Sequence, residues 1–288
     1  MSVRAVLASA TAELAAAGIA SPRTDAELLA AFALGIPRGR LVMVDDFTPE
    51  QLATFRRLLA DRSRRIPLQH LLGQVAFGDI DVVVGPGVFV PRPETELMVE
   101  WALTTLPDER ALVVDLCSGT GAIALAMAHA RPQDRVIAVE RDLDAVSWLS
   151  RNARVRSDSG DHGIEMVIGD VTDPLVPAVT LNGRVDLLLC NPPYVLDGTP
   201  VPDEVLHDPQ SAVFGGLDGL DVIRPVVARS VRLLKPGGRV GIEHDDSHVR
   251  AVADLFTATD SFTDITVHND LAGRPRFTTA RRWQTGLL

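Results

Sequence analysis

A chain of 288 residues, 46% hydrophobic and 23% charged, has the composition of a globular protein and is long enough for one large or two modest domains. Its formal charge of −10 is unevenly spread: residues 1–90 hold nine Arg and nine acidic side chains, so the whole excess falls on the remainder. That balance argues against free nucleic acid as a tight partner, because neutralising phosphates needs clustered cations. No apolar run reaches the roughly 18–20 residues of a membrane span, so no membrane association is expected. Two cysteines, Cys117 and Cys190, make neither a disulfide framework nor a metal-binding spacing.

The Ala-rich start, MSVRAVLASATAELAAAGIA, is interrupted by Glu13 and has no compact apolar block ahead of a cleavage site. It reads as an amphipathic helix rather than a signal peptide, and a cytoplasmic location is expected. Thr24 and Glu27 fit a capping box ahead of AELLAAFALG, with Gly35 as the stop. Thr48, Pro49 and Gln51 open a further helix, and Pro67 closes the helical region. Residues 74–90, QVAFGDIDVVVGPGVFV, are β-rich and broken by Gly-Pro-Gly. They predict a hairpin joining a helical domain, 1–73, to a second domain, 91–288. From residue 91 onward short apolar strands (111–116, 135–140, 164–168, 185–190, 238–243) alternate with helices (93–105, 120–131, 142–155, 219–234, 246–257). This alternation predicts an α/β fold, a mostly parallel sheet covered on both faces.

The stretch VVDLCSGTGAIAL, 113–125, puts a glycine-rich turn between a strand and a helix. Such a turn lets backbone approach a ligand at a helix N-terminus. Alone it is also a common tight connection. Spacing strengthens it: Glu140 ends the next strand 19 residues after Gly121, where an acid accepts from ribose hydroxyls, and Asp170 ends the third strand, where an acid accepts from an adenine amine. A nicotinamide cofactor is one candidate. The turn is DLCSGTG rather than G-x-G-x-x-G, and Asp115 before the glycines suits the ammonium of S-adenosylmethionine, which is favoured.

The fourth strand ends in NPPY, 191–194, which contains the chain's one tyrosine. A planar nitrogen, amide or exocyclic amine, has a delocalised lone pair and needs alignment to attack a methyl group. The Asn191 carbonyl oxygen and the Pro192 backbone carbonyl can each accept one of its N–H bonds, while Pro193 stiffens the turn and Tyr194 offers a flat wall. A proline-stiffened loop leaving a sheet explains the same residues without chemistry.

These segments resemble the PrmC/HemK family, the N5-glutamine methyltransferases of peptide-chain release factors. VPRPETE (90–96), DLCSGTGAIAL, NPPY, DPQSAVFGGLDGL (208–220) and DLAGRPR (270–276) match in order, as does PLQHLLG (67–73). NPPY is shared with adenine-N6 DNA methyltransferases; RPETE and the N-terminal helices are more specific. The resemblance implies a seven-stranded Rossmann-like class I methyltransferase domain behind a small helical substrate-recognition domain. It implies methyl transfer from S-adenosylmethionine, leaving S-adenosylhomocysteine, to the glutamine of the GGQ loop of class I release factors, by a monomer. By motif, Cys117, Ser118, Gly119, Thr120, Gly121 and Glu140 fall on cofactor-binding positions, Asp170 or Val171 lies by the adenine, and Phe89 is a further cofactor-side candidate. Asn191, Pro192, Pro193 and Tyr194 fall on the glutamine site, and Asn191 is expected to border the cofactor as well. Where the family usually has glycine this chain has Cys117, a side chain that narrows the turn.

Other features have plain structural explanations beside functional ones. Arg92 and Glu94 either contact ligand or pair with each other and cap a helix. Glu243 and His244 lie near enough to serve as a base, but read better as a solvated pair. Asp270 and its neighbouring arginines fit a closing hairpin as well as a partner surface. Cys117 and Cys190 end neighbouring strands, which raises oxidation sensitivity as an alternative to two small core residues. An adenine methyltransferase, a silent binding protein and an enzyme for a ribosomal-protein glutamine are the rival functions.

Overall fold

The computed structural model describes residues 2–177 and 179–283; residues 284–288, the end of the expected second domain, lie outside the described residues. Two compact units result, Met1–Gln74 with Val201–His207, and Val75–Pro200 with Asp208–Leu288. No helix among the described residues is long and apolar enough to cross a membrane.

The first unit is helical: α1 (Val3–Ala16), α2 (Pro22–Leu34), α3 (Pro49–Ser63) and the short α4 (Leu68–Leu72). In α1 the buried positions Val3, Val6, Ala10 and Leu14 follow the three-to-four spacing of one helix face. They pack with Leu29, Phe55 and Leu58 into one core, each large side chain worth about 1.5–3 kcal/mol. The Thr48–Gln51 capping box forms, with the Gln51 N–H to Thr48 Oγ1 at 3.3 Å and the Thr48 N–H to Gln51 Oε1 at 3.0 Å. The box expected at Thr24 and Glu27 does not form. Pro22, with φ preset for a first helical turn, starts α2 after Ser21, so Thr24 lies inside the helix and Glu27 pairs with Arg23 and Arg38. Arg62, buried in α3, is held by Asp25 at 2.7 Å and by Glu204 of the returning segment at 3.0 Å.

The second unit opens with a hairpin, β1 (Gln74–Phe77) and β2 (Ile80–Val83). Phe77, Ile80, Val82 and Val84 are buried in the same core as the following helices, so the hairpin is an integral part of this unit. There follow α5 (Pro93–Thr105), β3 (Leu112–Leu116), α6 (Ala122–Ala130), β4 (Arg135–Glu140), α7 (Leu143–Asp158), β5 (Glu165–Ile168) and β6 (Val185–Cys190). Then come α8 (Gln210–Val213), α9 (Ile223–Leu233), β7 (Leu234–Glu243), α10 (Val249–Thr257), β8 (Phe262–Asn269) and β9 (Pro275–Arg282). The seven-stranded sheet has the order β5-β4-β3-β6-β7-β9-β8. It is parallel from β5 to β7, with β9 antiparallel to β7 and to β8. Strand β7 begins four residues earlier than expected, because Leu234 pairs with Val185 before an irregularity resets the register at Arg239. The closing hairpin is made as expected: the Asp270 carboxylate accepts from the Ala272 and Arg274 N–H groups and from Arg276 Nε, all at 2.9 Å.

The chain runs β3, β4, β5 outward on one side, then returns to place β6 on the other side of β3. Loops leaving β3 and β6 therefore diverge, opening a crevice at their carboxyl ends, where ligands bind in open α/β sheets.

Candidate active site

A cavity occupies that crevice, with about 960 Å³ of empty space that includes open solvent. Four strand ends contribute to its lining: Cys117, Ser118, Gly119 and Thr120 after β3, Glu140 and Arg141 at the end of β4, Gly169, Asp170 and Val171 after β5, Asn191 and Pro193 after β6. Phe89 and Thr95 add to the wall. Ten residues expected at the site thus face one space; Asp115, Gly121, Pro192 and Tyr194 are not among the lining residues.

Glu140 holds the floor in place. One carboxylate oxygen accepts from the Gly119 N–H at 2.7 Å, and the other from the N–H groups of Arg141 and Asp142 at 2.8 and 2.9 Å. Asp170 accepts from Arg141 Nη1 at 2.9 Å and from the Thr172 N–H at 2.8 Å. These backbone and side-chain hydrogen bonds outweigh partial burial and keep its carboxyl below the usual carboxylate range. Hydrogen bonds thus fix both carboxyl groups in place at the edge of the cavity, where each can accept from a ligand.

The glycine turn is built differently from its sequence-based reading. Cys117, not a glycine, sits at φ 59° in the left-handed region, where a side chain is normally disfavoured. Gly121 (φ 84°) serves packing: a Cβ there would come within 2.3 Å of Leu149 of α7. Asn152 of α7 braces the turn from behind, donating to the Thr120 carbonyl at 3.0 Å and pairing with both backbone groups of Val83. No sequence motif marks Asn152, because its partners are 69 and 32 residues away.

Asp115 is fully buried near the end of β3, and neither carboxylate oxygen meets a hydrogen-bond partner among the described residues. The nearby Ser118 hydroxyl is spent on the Asp115 carbonyl and receives the Val139 N–H. Desolvation, reinforced by the charge of Glu140, outweighs nearby Ser118 and the Ala124 N–H and pushes the acid from 3.8 to about 8. Between those pH values the folded chain keeps a proton that the unfolded chain has lost, so this group makes stability fall as pH rises. Asp115→Asn is expected to raise the thermal midpoint of the unliganded protein by several degrees at pH 8 and to change little near pH 4. Melting curves at the two pH values test this; a variant that melts below wild type at pH 8 contradicts it.

The NPPY loop is supported by the second glycine-rich segment. Val195 and Phe214 form a bridge, with the Val195 N–H to the Val213 carbonyl at 3.0 Å and the Gly215 N–H to the Val195 carbonyl at 2.8 Å. A Cβ on Gly219 would lie 2.4 Å from the Tyr194 carbonyl, so this approach requires glycine. The wall expected of Tyr194 is not formed on this cavity. Its ring packs beside a buried cluster and its hydroxyl donates to Glu243 at 3.0 Å. Burial, and then the Glu243 charge, push the phenol well above its ordinary value, so it stays protonated.

Two further expectations are corrected. Arg92 pairs with buried Asp208 at 2.8 Å rather than with Glu94, and lies over the Phe89 ring at 5.1 Å. Glu243 and His244 are buried, not solvated. His244 bonds the Asp245 carbonyl at 2.8 Å and Thr278 Oγ1 at 2.7 Å, and burial lowers its basicity, so it is no base for this cavity. Cys117 and Cys190 are both free thiols; desolvation and the adjacent Cys117 push the Cys190 thiol well up, making it a poor nucleophile.

A family model described as the PrmC N-terminal domain matches residues 5–73, and one described as the methyltransferase small domain matches residues 79–208. A "Release factor glutamine methyltransferase" of Mycolicibacterium smegmatis is 52% identical over 97% of this chain and 98% of its own. Another of that name, from Corynebacterium glutamicum, is 44% identical over 96% and 97%. Among solved structures, a methyltransferase from Pyrococcus furiosus shares the fold, with a TM-score of 0.54, 16% identity and coverage of 78% of this chain and 99% of that one. With likeness running nearly end to end, and a class I methyltransferase sheet whose strand ends line a cavity, the chain belongs to the release factor glutamine methyltransferase family.

Proposed function

We propose that this chain transfers a methyl group from S-adenosylmethionine to N5 of the glutamine in the GGQ loop of a class I peptide-chain release factor. The observation that carries the reading is the meeting of the Glu140-braced glycine turn and Asn191 on one cavity. The names of the relatives point the same way.

The residues fit the cofactor by their chemistry. Glu140 offers its remaining lone pairs to the ribose hydroxyls, Asp170 and Val171 flank the adenine, and Phe89 covers the apolar side. No Cβ at Gly119 would meet a neighbour within 4 Å, so the turn leaves room for close approach of a ligand. The orphaned carboxylate of Asp115 is suited to the field of an ammonium group, which would restore its charge. When bound, S-adenosylmethionine supplies an electrophilic methyl on a sulfonium and leaves as the thioether S-adenosylhomocysteine.

On the substrate side Asn191 Oδ1 accepts one N–H of the glutamine amide and the Pro192 carbonyl accepts the other. The two acceptors turn the amide so that its lone pair faces the methyl carbon, and the nitrogen releases a proton to solvent after transfer. Alignment in a water-poor cleft provides the acceleration, without a strong base. Tyr194 and Pro193 keep the loop in place. The chain acts as a monomer in this reading, and its two free thiols fit a reducing cytoplasm.

Incubation with labelled methyl donor, a class I release factor and duplex DNA tests the assignment. Label is expected on the factor; label on DNA adenine with none on the factor contradicts it.

A further inference from the structure

We propose that Glu243, acting through the hydroxyl of Thr95, is the positioning group that fixes which end of the Asn191 amide faces the substrate. This rests on the reading that Asn191 Oδ1 accepts from the glutamine amide.

Three residues from distant parts of the chain meet: Thr95 in the first turn of α5, Asn191 after β6 and Glu243 at the end of β7. Asn191 Nδ2 lies 3.1 Å from Thr95 Oγ1, and Thr95 Oγ1 lies 2.7 Å from Glu243 Oε2. A threonine hydroxyl has one proton. A carboxylate can only accept, so that proton goes to Glu243 and leaves Thr95 Oγ1 as an acceptor toward Asn191. The NH₂ end of the Asn191 amide fits there; the carbonyl end would set two acceptors against each other. The carbonyl oxygen is thereby left for the substrate.

Glu243 is an unusual choice for a purely structural role. It is 2% exposed, and its two oxygens take the Thr95 and Tyr194 hydroxyls rather than a cation. The nearby Arg276 donates its Nε to Asp270. Burying such a charge is costly, and an apolar side chain would fill the space without that cost. The Tyr194 hydroxyl on the other oxygen holds the carboxylate in the orientation that serves Thr95.

The groups facing Glu243 are Thr95 and Glu94 from α5, Tyr194 from the NPPY loop and Arg276 from β9. Desolvation is the largest influence; with Glu94 it outweighs the two hydroxyls and Arg276 and pushes the acid up to about 7. Below that pH a protonated Glu243 competes as a donor to Thr95 Oγ1, and the hold on the NH₂ end of Asn191 is lost. Turnover should therefore rise with pH through about 7 and level off above it.

Steady-state kinetics on a class I release factor, with cofactor affinity measured by calorimetry, tests the proposal. Thr95→Val is expected to lower kcat about 10²-fold with cofactor Kd unchanged, the scale of a misplaced positioning group. Thr95→Ser should recover most of that loss. Glu243→Gln, whose amide oxygen still accepts from Thr95 but does not titrate, should lower kcat less than Thr95→Val does and abolish the acid limb. Wild-type kcat in Thr95→Val, no recovery in Thr95→Ser, or an acid limb persisting in Glu243→Gln would each overturn the proposal. Asn191→Ala, run in parallel, separates the two levels. If it turns over like wild type, the reading of Asn191 falls and the proposal with it; if it is inactive while Thr95→Val is not, the proposal alone falls.

Discussion

Asn191→Ala is expected to lower kcat by about 10²–10³-fold, the usual loss when a preorganised polar contact to a reacting group is removed. Cofactor affinity should stay within a few fold, because the cofactor is assigned to the turn after β3 and the acids after β4 and β5. The size of the effect follows from the nucleophile. An amide nitrogen shares its lone pair with its carbonyl, so random collisions with a methyl group seldom have the required geometry. Asn191 has its Nδ2 tied to Thr95, which leaves its oxygen as the one side-chain acceptor that NPPY presents. Alanine removes that acceptor and also releases Thr95. Single-turnover kinetics with calorimetric cofactor binding separates chemistry from binding. Unchanged turnover would show that the substrate amide lies elsewhere.

Glu140→Ala is expected to weaken S-adenosylmethionine binding by about 10²-fold, from two hydrogen bonds to a charged acceptor at about 1.5–3 kcal/mol each, partly recovered by water. The damage extends beyond the ribose, because three backbone N–H groups, those of Gly119, Arg141 and Asp142, lose their acceptor together. The turn that should present Gly119 to the ligand would then be held less firmly. Saturating donor should restore much of kcat, since Glu140 makes no contact with the Asn191 network among the hydrogen bonds described. A Kd within threefold of wild type would place the ribose away from β4.

Local signals in the sequence located much of this molecule. Thr48, Pro49 and Gln51 form their capping box because all the partners lie within one turn. The ends of β3, β4 and β6 were legible because apolar strands buried on both faces stop abruptly at Asp115–Cys117, Glu140 and Asn191. Thr24 was misread because a proline two residues earlier begins the helix more effectively than a cap can. What sequence could not show depends on partners far apart. Thr95 and Glu243 are 148 residues apart, Thr95 and Asn191 are 96, and Arg92 and Asp208 are 116. No periodicity or spacing rule links such pairs; only the strand order brings α5, β6 and β7 to one crevice. Tyr194 shows the same limit. Its proximity in sequence to Asn191 suggested a wall of the substrate site, whereas burial turned its hydroxyl toward Glu243.

The central claim is that Asn191 directs a methyl group onto a protein amide nitrogen. Peptide mapping by mass spectrometry of a class I release factor, treated in parallel with wild-type and Asn191→Ala enzyme, tests it most directly. A single methyl group on the glutamine of the GGQ peptide after wild-type treatment, and none after Asn191→Ala, is the predicted result. A methyl group on another residue, or equal methylation by both enzymes, would contradict it.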